Sequence, residues 1–335
     1  MAVLKSRDPA NDEVLGEVQV ARKADVVGAI EAASTATPLS LKARIAVVRR
    51  FQKHLLAHRD ALGRLIAQES GKPLAEAMLA DILAAHDAAR HLADLAPKAL
   101  AARRLSLDNI LLMDRNASMT AEPLGTVAVI APWNFPLSIP TTGIPTAWLA
   151  GNRVVFRPAP QTPLVGQWLA EALWTCGVPQ DQLHIVHGGP EVGQALVAGD
   201  IDGLTFTGSV ATGRVVATAC AERLIPSVLE LGGKDPMVVL PGGGPRVVQG
   251  AVWGAFTNAG QACASVERLY LPRADHHHLV AGIGRQSAGL RIGHGLEPGT
   301  EIGPVIDDAA VARIKSHIQD AEKRGATVLT GGVRD

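Results

Sequence analysis

The sequence is poor in cysteine and in aromatic residues, and it has no excess of charge of either sign. Its 335 residues include three cysteines, aromatic side chains make up 3%, and the 32 basic residues balance the 32 acidic ones. A neutral chain offers no electrostatic attraction to nucleic acid or to an anionic membrane. Few aromatic rings are present to stack on single-stranded bases. We therefore expect neither nucleic acid nor membrane as a partner.

The three cysteines, Cys176, Cys220 and Cys263, lie far apart in the sequence. Their number and spacing fit neither a disulfide framework nor a zinc site. The pattern favours a reducing compartment, and we expect the protein in the cytoplasm. The N-terminal residues contain no apolar stretch typical of a signal peptide, and no apolar run is long enough to span a membrane.

Helical periodicity dominates the first hundred residues. A predicted helix runs from Leu41 through Ile66 and stops at Gly71, and a second amphipathic stretch covers 74–95. Alternation over 103–122 predicts a two-stranded hairpin.

From Gly125 onward, short β-rich runs alternate with helical ones, and 47% of all residues are hydrophobic. This alternation predicts an α/β fold with a doubly wound, mostly parallel sheet. The predicted strands are GTVAVIA from Gly125, Asn152–Phe156, Leu183–Val186, Gly203–Phe206, Val228–Leu231, Met237–Leu240 and Ser265–Leu271.

Polar residues and glycines follow these strands, where an α/β sheet binds its ligand. Asn134 lies in the rigid PWNFP turn, as a fixed donor or as a cap for the next helix. Arg157 suits a phosphorylated ligand, although the segment taken alone favours an ordinary surface arginine. The turns GGPEVG (188–193) and FTGSVATG (206–213) lead into helices whose N-termini favour a pyrophosphate. Neither is a G-x-G-x-x-G fingerprint, and both could be ordinary tight turns.

Two further segments supply reactive side chains. Glu230, between Leu229 and Leu231, is expected to be desolvated, which would raise its pKa towards that of a base. A salt bridge to Lys234 is the alternative. Cys263 lies in a turn of small residues and is a candidate nucleophile or an inert buried thiol. The three histidines 276–278 are expected in a loop without metal-site geometry, and hydrolase motifs are absent.

Taken in order, PWNFP, FTGS with Gly213, ELGGK and GQ-x-C resemble the NAD(P)-dependent aldehyde dehydrogenase superfamily. The resemblance covers nearly the whole chain. Its most specific element is the cysteine that follows the glutamate of ELGGK by 33 residues.

This resemblance implies that Cys263 attacks the aldehyde, that Asn134 and the Cys263 amide stabilise the oxyanion, and that Glu230 activates water for thioester hydrolysis. The implied contacts with NAD or NADP are Trp133, Arg157, Gly189, Gly193, Phe206, Gly208, Ser209, Leu231 and Gly232. It also implies a cofactor-binding domain (1–102 and 122–231), an oligomerisation hairpin (103–121), a catalytic domain (232–335), and a homodimer or homotetramer.

Three residues depart from the family pattern. Arg157 replaces a usual lysine, Pro160 stands where NAD-preferring relatives often have glutamate, and His187 replaces a turn glycine. Without that glutamate, NADP is expected to be tolerated. The chain also stops before the family's E-x-F-G-P motif. We therefore expect a C-terminally truncated, poorly stable chain with little turnover. A CoA-acylating enzyme and a non-catalytic protein on the same fold are the alternatives.

Overall fold

The computed structural model describes residues 2–107, 114–244 and 246–333. The chain divides into two compact units, each made of three segments. The first unit comprises Met1–Leu4, Val18–Arg59 and Ala80–Glu230, and the second comprises Lys5–Glu17, Asp60–Leu79 and Leu231–Asp335.

A five-stranded sheet forms the centre of the first unit. Its strands are β5 (Thr126–Ile130), β6 (Arg153–Arg157), β7 (Leu183–Ile185), β8 (Gly203–Gly208) and β9 (Ser227–Leu231), in the order β7-β6-β5-β8-β9. The β5–β6, β6–β7 and β5–β8 pairs are parallel. Since the chain moves outward through β6 and β7 and then returns to β8 beside β5, a topological switch point lies between β5 and β8.

The buried strands form where the sequence gives short apolar runs. All five residues of β5 are buried, as are Val154, Val155 and Phe156 in β6. Such runs are typical of parallel strands covered on both faces. The α/β prediction with a central parallel sheet is confirmed, and the predicted strands agree with the observed ones to within two residues.

Helices surround this sheet, and α1 packs on β6 and β7 while α6 packs on β5 and β6. The helices of the first unit are α1 (Lys23–Thr35), α2 (Leu41–Ala57), α5 (Ala84–Ala99), α6 (Ser138–Leu149), α7 (Pro163–Thr175), α8 (Pro190–Ala198) and α9 (Val210–Glu222).

Two features of the helical region differ from the sequence prediction. The helix predicted over 41–66 is divided at His58, where α2 ends and α3 (Arg59–Ser70) begins. The stretch after Pro73 contains a short helix, α4 (Leu74–Glu76), and then a π-helical segment (Ala77–Leu83) before α5. The predicted stop is correct, because Gly71 has a φ of +79°, which favours glycine.

Two short strands precede these helices, β1 (Val3–Arg7) and β2 (Val14–Gln19), and they pair with each other. Strands β3 (Arg103–Leu105) and β4 (Ala117–Met119) pair antiparallel, as a hairpin requires. The predicted turn of this hairpin lies partly outside the described residues. None of the described helices is long and apolar enough to cross a membrane.

The second unit contains a parallel pair of strands, β10 (Asp235–Val238) and β11 (Val266–Tyr270). Its helices besides α3 and α4 are α10 (Arg246–Phe256), α11 (His276–Ala288) and α12 (Asp308–Lys323), with a 3₁₀ turn at Thr257–Gly260. The expectation that the three histidines 276–278 lie in a loop is wrong, because they form the first turn of α11. Within the described ranges, no group of three or more His, Cys, Asp or Glu side chains is placed to hold a metal ion.

Candidate active site

Asn134 lies in the turn between β5 and α6, at the carboxyl end of the central strand, and is half-buried. The alternative role for Asn134, capping α6, is filled instead by the buried carboxylate of Asp81. Its Oδ1 atom accepts the amides of Leu137 and Ser138 at 3.1 and 3.2 Å. Trp133, in the same turn, is also half-buried. No sequence motif identified Asp81, which lies within an apparently ordinary helical stretch.

The FTGS segment ends β8 and begins α9, directly beside the switch point. Ser209 is the N-cap of α9, and its Oγ accepts the Thr212 amide at 3.2 Å. Phe206 is buried in the strand, and a Cβ added to Gly208 would lie 2.6 Å from the Phe206 ring. A side chain at this position would have to displace the Phe206 ring, so glycine favours this close turn, and the N-terminus of α9 lies at the edge where a pyrophosphate would bind.

Arg157 ends β6 and is linked to the glycine turn that follows β7. Its Nη2 donates to the Gly188 carbonyl at 2.8 Å. The Gly189 amide in turn donates to the Glu191 carboxylate at 3.0 Å. Burial lowers the pKa of the Arg157 guanidinium, while the negative charge of Glu191 opposes that shift. The predicted residues Arg157 and Gly189 thus lie together. Glu191 was not singled out from the sequence, although an acidic residue in a first helical turn is a recognised signal.

His187, in the same turn, is 7% exposed. Its Nε2 lies 2.8 Å from Gln167 Oε1, whereas its buried Nδ1 has no hydrogen-bond partner in the part of the chain that the structure describes. Burial lowers the pKa of His187 to about 4, so the ring is neutral at physiological pH. The turn that the family usually builds with glycine therefore contains a neutral aromatic side chain here.

The glycine turn that follows β7 has an open backbone. Among the described residues, a Cβ added at Gly193 would meet no atom within 4 Å, so a ligand could approach the backbone there. Together with the helix N-terminus at Ser209 and the cation of Arg157, which belong to the same unit, this turn fits NAD or NADP. In the second unit, a Cβ added at Gly232 would likewise meet no described atom within 4 Å.

Glu230 is the fourth residue of β9 and its side chain is exposed. The expectation that Leu229 and Leu231 desolvate it is wrong, because both leucines are only half-buried and neighbouring β9 residues are exposed. Among the described residues, Lys234 forms its ion pair with Glu267, in the same unit, instead of with Glu230. The carboxylate of Glu230 is thus open to water.

Cys263 belongs to the second unit and lies in a turn between the 3₁₀ turn and β11. Of the three cysteines it alone is exposed. Burial raises the pKa of the Cys176 and Cys220 thiols, which disfavours their reactive thiolates. The interpretation of Cys263 as an inert buried thiol is therefore wrong, because the residue is exposed.

Comparison with known proteins agrees with these motifs. The sequence matches the aldehyde dehydrogenase family over residues 2–335. It is 36% identical to a glutarate-semialdehyde dehydrogenase of Pseudomonas putida, covering 98% of this chain and 69% of that protein. It is 35% identical to the NADP⁺ succinate-semialdehyde dehydrogenase of Escherichia coli, covering 97% of this chain and 68% of that protein.

The fold is also similar to that of a solved aldehyde dehydrogenase structure. The NAD⁺ complex of an aldehyde dehydrogenase from Bacillus cereus superposes with a TM-score of 0.95 at 31% identity, covering all of this chain and 69% of that one.

Proposed function

Because the chain belongs to the aldehyde dehydrogenase family, oxidoreductases that oxidise aldehydes with NAD or NADP, we propose that Cys263, Glu230 and Asn134 carry this reaction here. The observation that carries the proposal is the exposed thiol of Cys263 within the family's cysteine motif. The two other thiols are buried, which leaves Cys263 as the nucleophile.

Each side chain has a distinct chemical role. The Cys263 thiolate bonds to the aldehyde carbon and gives a thiohemiacetal, whose oxyanion accepts hydrogen bonds from the Asn134 amide and the Cys263 backbone N–H. NAD or NADP, when bound, supplies the hydride acceptor, and loss of the hydride leaves a thioester on Cys263. Glu230 removes a proton from water, which adds to the thioester carbonyl. The C–S bond then breaks, which releases the carboxylic acid and restores the thiolate.

We assign the cofactor to the carboxyl end of the sheet of the first unit and to the ELGG segment. The residues proposed to hold it are Trp133, Arg157, Gly189, Gly193, Phe206, Gly208, Ser209, Leu231 and Gly232. The open backbone at Gly193 and Gly232 and the helix N-terminus at Ser209 support this assignment. The domain roles follow, with cofactor binding in 1–102 and 122–231 and the nucleophile in 232–335.

For the substrate we propose short aldehydes that carry a terminal carboxylate. The names of two relatives support this class, since one is a glutarate-semialdehyde and the other a succinate-semialdehyde dehydrogenase. Uncharged aliphatic and aromatic aldehydes are the comparison group. Of the aromatic residues that could line an apolar site, Trp148 is unsuitable, because it is 2% exposed and donates its Nε1–H to Gln182.

We also propose a homodimer or homotetramer assembled through the β3–β4 hairpin. The exposed residues of both strands support this role.

We also propose the cytoplasm as the compartment, which three cysteines that form no disulfide support.

The test combines turnover with mass spectrometry. The protein is incubated with NAD or NADP and an aldehyde panel, and its peptides are searched for an acyl group on Cys263. The E230Q variant is expected to accumulate this acyl adduct, because its hydrolysis lacks a base. The C263S variant is expected to form neither adduct nor reduced cofactor.

The C220A variant is the matched control, because it removes a buried thiol and should retain the adduct. Turnover by C263S at the normal rate would overturn the assignment of the nucleophile. An E230Q variant that forms the adduct and hydrolyses it at the normal rate would overturn the assignment of the base.

A further inference from the structure

The loop that leads to Cys263 has an unusual backbone. Asn258 and Ala259 have φ values of 55° and 54°, and Gly260 follows with 74°. Left-handed conformations are common for glycine and tolerated by asparagine, but they are unfavourable for alanine because its Cβ approaches the next carbonyl. Such a conformation persists only where surrounding contacts hold it.

Side-chain hydrogen bonds close this loop on itself. The Asn258 Nδ2 donates to the Gln261 carbonyl at 3.2 Å, and the Gln261 Nε2 donates to the Asn258 carbonyl at 3.1 Å. The Gln261 Oε1 also accepts the Ile306 amide at 3.0 Å. Cys263 follows two residues after Gln261, so these hydrogen bonds lie directly before the residue that carries the thiol.

One contact from outside the loop holds its start. The amide of Asn258, which is 1% exposed, donates to the Glu76 Oε2 at 2.8 Å, although the two residues are 182 positions apart. Glu76 ends α4 and belongs to the second unit, as the loop does. Burial raises the pKa of Glu76, while the hydrogen bond from Asn258 and the charge of Lys72 lower it.

We propose that Glu76 is a positioning residue for Cys263. By accepting the Asn258 amide, it holds the left-handed turn at Asn258–Ala259 and thereby the direction in which the loop carries the thiol. This inference rests on the proposed function, which makes Cys263 the nucleophile. Glu76 touches neither substrate nor thiol in this role, and it acts through the backbone alone.

The test compares E76A, E76Q and the double variant E76A/A259G, with E322A on the exposed surface of α12 as a matched control. E76A is expected to lower kcat/KM for the aldehyde by about tenfold to a hundredfold, the effect of a small misplacement of a reacting group. E76Q retains an acceptor oxygen of the same reach and is expected to stay within about threefold of the unchanged protein.

The double variant distinguishes positioning from general destabilisation. Glycine adopts the left-handed region freely. Adding A259G to E76A is therefore expected to recover at least about half of the loss in kcat/KM, measured on a logarithmic scale. Hydrogen–deuterium exchange of the Asn258 amide is the direct readout, and it is expected to accelerate in E76A but not in E76Q. The NAD dissociation constant should not change in any variant, because the proposed cofactor residues are untouched.

Normal kcat/KM in E76A, or an E76Q variant as impaired as E76A, would overturn the proposal. So would failure of A259G to restore any activity to E76A. The exchange measurement does not depend on which thiol is the nucleophile. Accelerated exchange combined with full turnover by C263S would therefore overturn the proposed function, and slow exchange in E76A would overturn the role of Glu76.

Discussion

Asp8 and His294 lie 286 positions apart in the chain, and the Nε2 of His294 contacts the Asp8 Oδ2 at 2.9 Å. The Leu296 amide donates to His294 Nδ1, so Nε2 carries a proton and donates to the carboxylate. The other carboxylate oxygen of Asp8 accepts the Ala10 amide, and the Asp8 side chain is 3% exposed. The pair therefore joins an N-terminal segment of the second unit to a loop near its other end.

We predict that H294A destabilises the second unit. The substitution leaves the buried carboxylate of Asp8 without one of its donors, and the free energy of unfolding should fall by about 1–3 kcal/mol. Urea denaturation followed by circular dichroism measures the change. R324A, which breaks the exposed pair with Asp320, is the control and should leave the midpoint unchanged. Equal midpoints for the two variants would contradict the prediction.

Much of the sheet unit could be predicted from the sequence. Strands β5 and β6 are buried along almost their whole length, so they form short apolar runs between turn residues. The glycines before α8 and α9 are located by the same local chemistry, since each permits a close turn that other residues resist. The candidate site lies at these turns, and for this reason most of it could be found from local motifs.

The remainder depends on contacts between residues distant in sequence. Strand β1 has a polar sequence, and its neighbourhood is held by Asp8 pairing with His294, which no local pattern reveals. Glu76 and Asp81 act on amides far along the chain, and neither forms a recognisable motif. The exposure of Glu230 depends on what covers β9, and its apolar neighbours in sequence do not determine that.

Buried His187 predicts a pH dependence of stability. The folded-state pKa is about 4, below the ordinary value of 6.5, so between these values the unfolded chain binds a proton that the folded chain does not. The contribution of neutral His187 to the free energy of unfolding is therefore fully present above pH 6.5. It is lost as the pH falls towards 4, by about 3 kcal/mol at most.

In H187Q this part of the decline should disappear, because glutamine does not titrate and retains a polar contact for Gln167. Urea midpoints at pH 7 and pH 4.5 provide the measurement. H317Q, on the exposed surface of α12, is the control, because it makes the same histidine-to-glutamine substitution at an exposed position. If H187Q and the unchanged protein lose the same stability between these two pH values, the buried imidazole is not the source of the decline.

The pairing of Arg157 with its surroundings predicts the cofactor preference. Pro160 contributes no carboxylate to repel a 2′-phosphate, so NADP should be tolerated as well as NAD. Glu191 lies close enough for its negative charge to act on Arg157, and the same charge would repel a phosphate held by Arg157. We predict that E191Q improves NADP binding relative to NAD by about threefold to fivefold, the effect of one partly exposed charge.

R157A should lower the ratio of NADP affinity to NAD affinity, because it removes the cation. Equilibrium titration of each variant with both cofactors measures this ratio. An NADP affinity far weaker than that for NAD in the unchanged protein would contradict the first expectation, and an unchanged ratio in E191Q would contradict the second.

Ser209 caps α9 and is also proposed to contact the cofactor, and two substitutions separate these roles. S209A removes the acceptor for the Thr212 amide and should lower the free energy of unfolding by about 1 kcal/mol, whereas S209G should cost only a few tenths. Both variants lack the hydroxyl, so both should bind NAD more weakly if Ser209 contacts the cofactor. Urea denaturation and NAD titration followed by tryptophan fluorescence measure the two effects. If NAD affinity falls in S209A and is normal in S209G, the hydroxyl acts only as the helix cap, and the proposed contact between Ser209 and the cofactor is wrong.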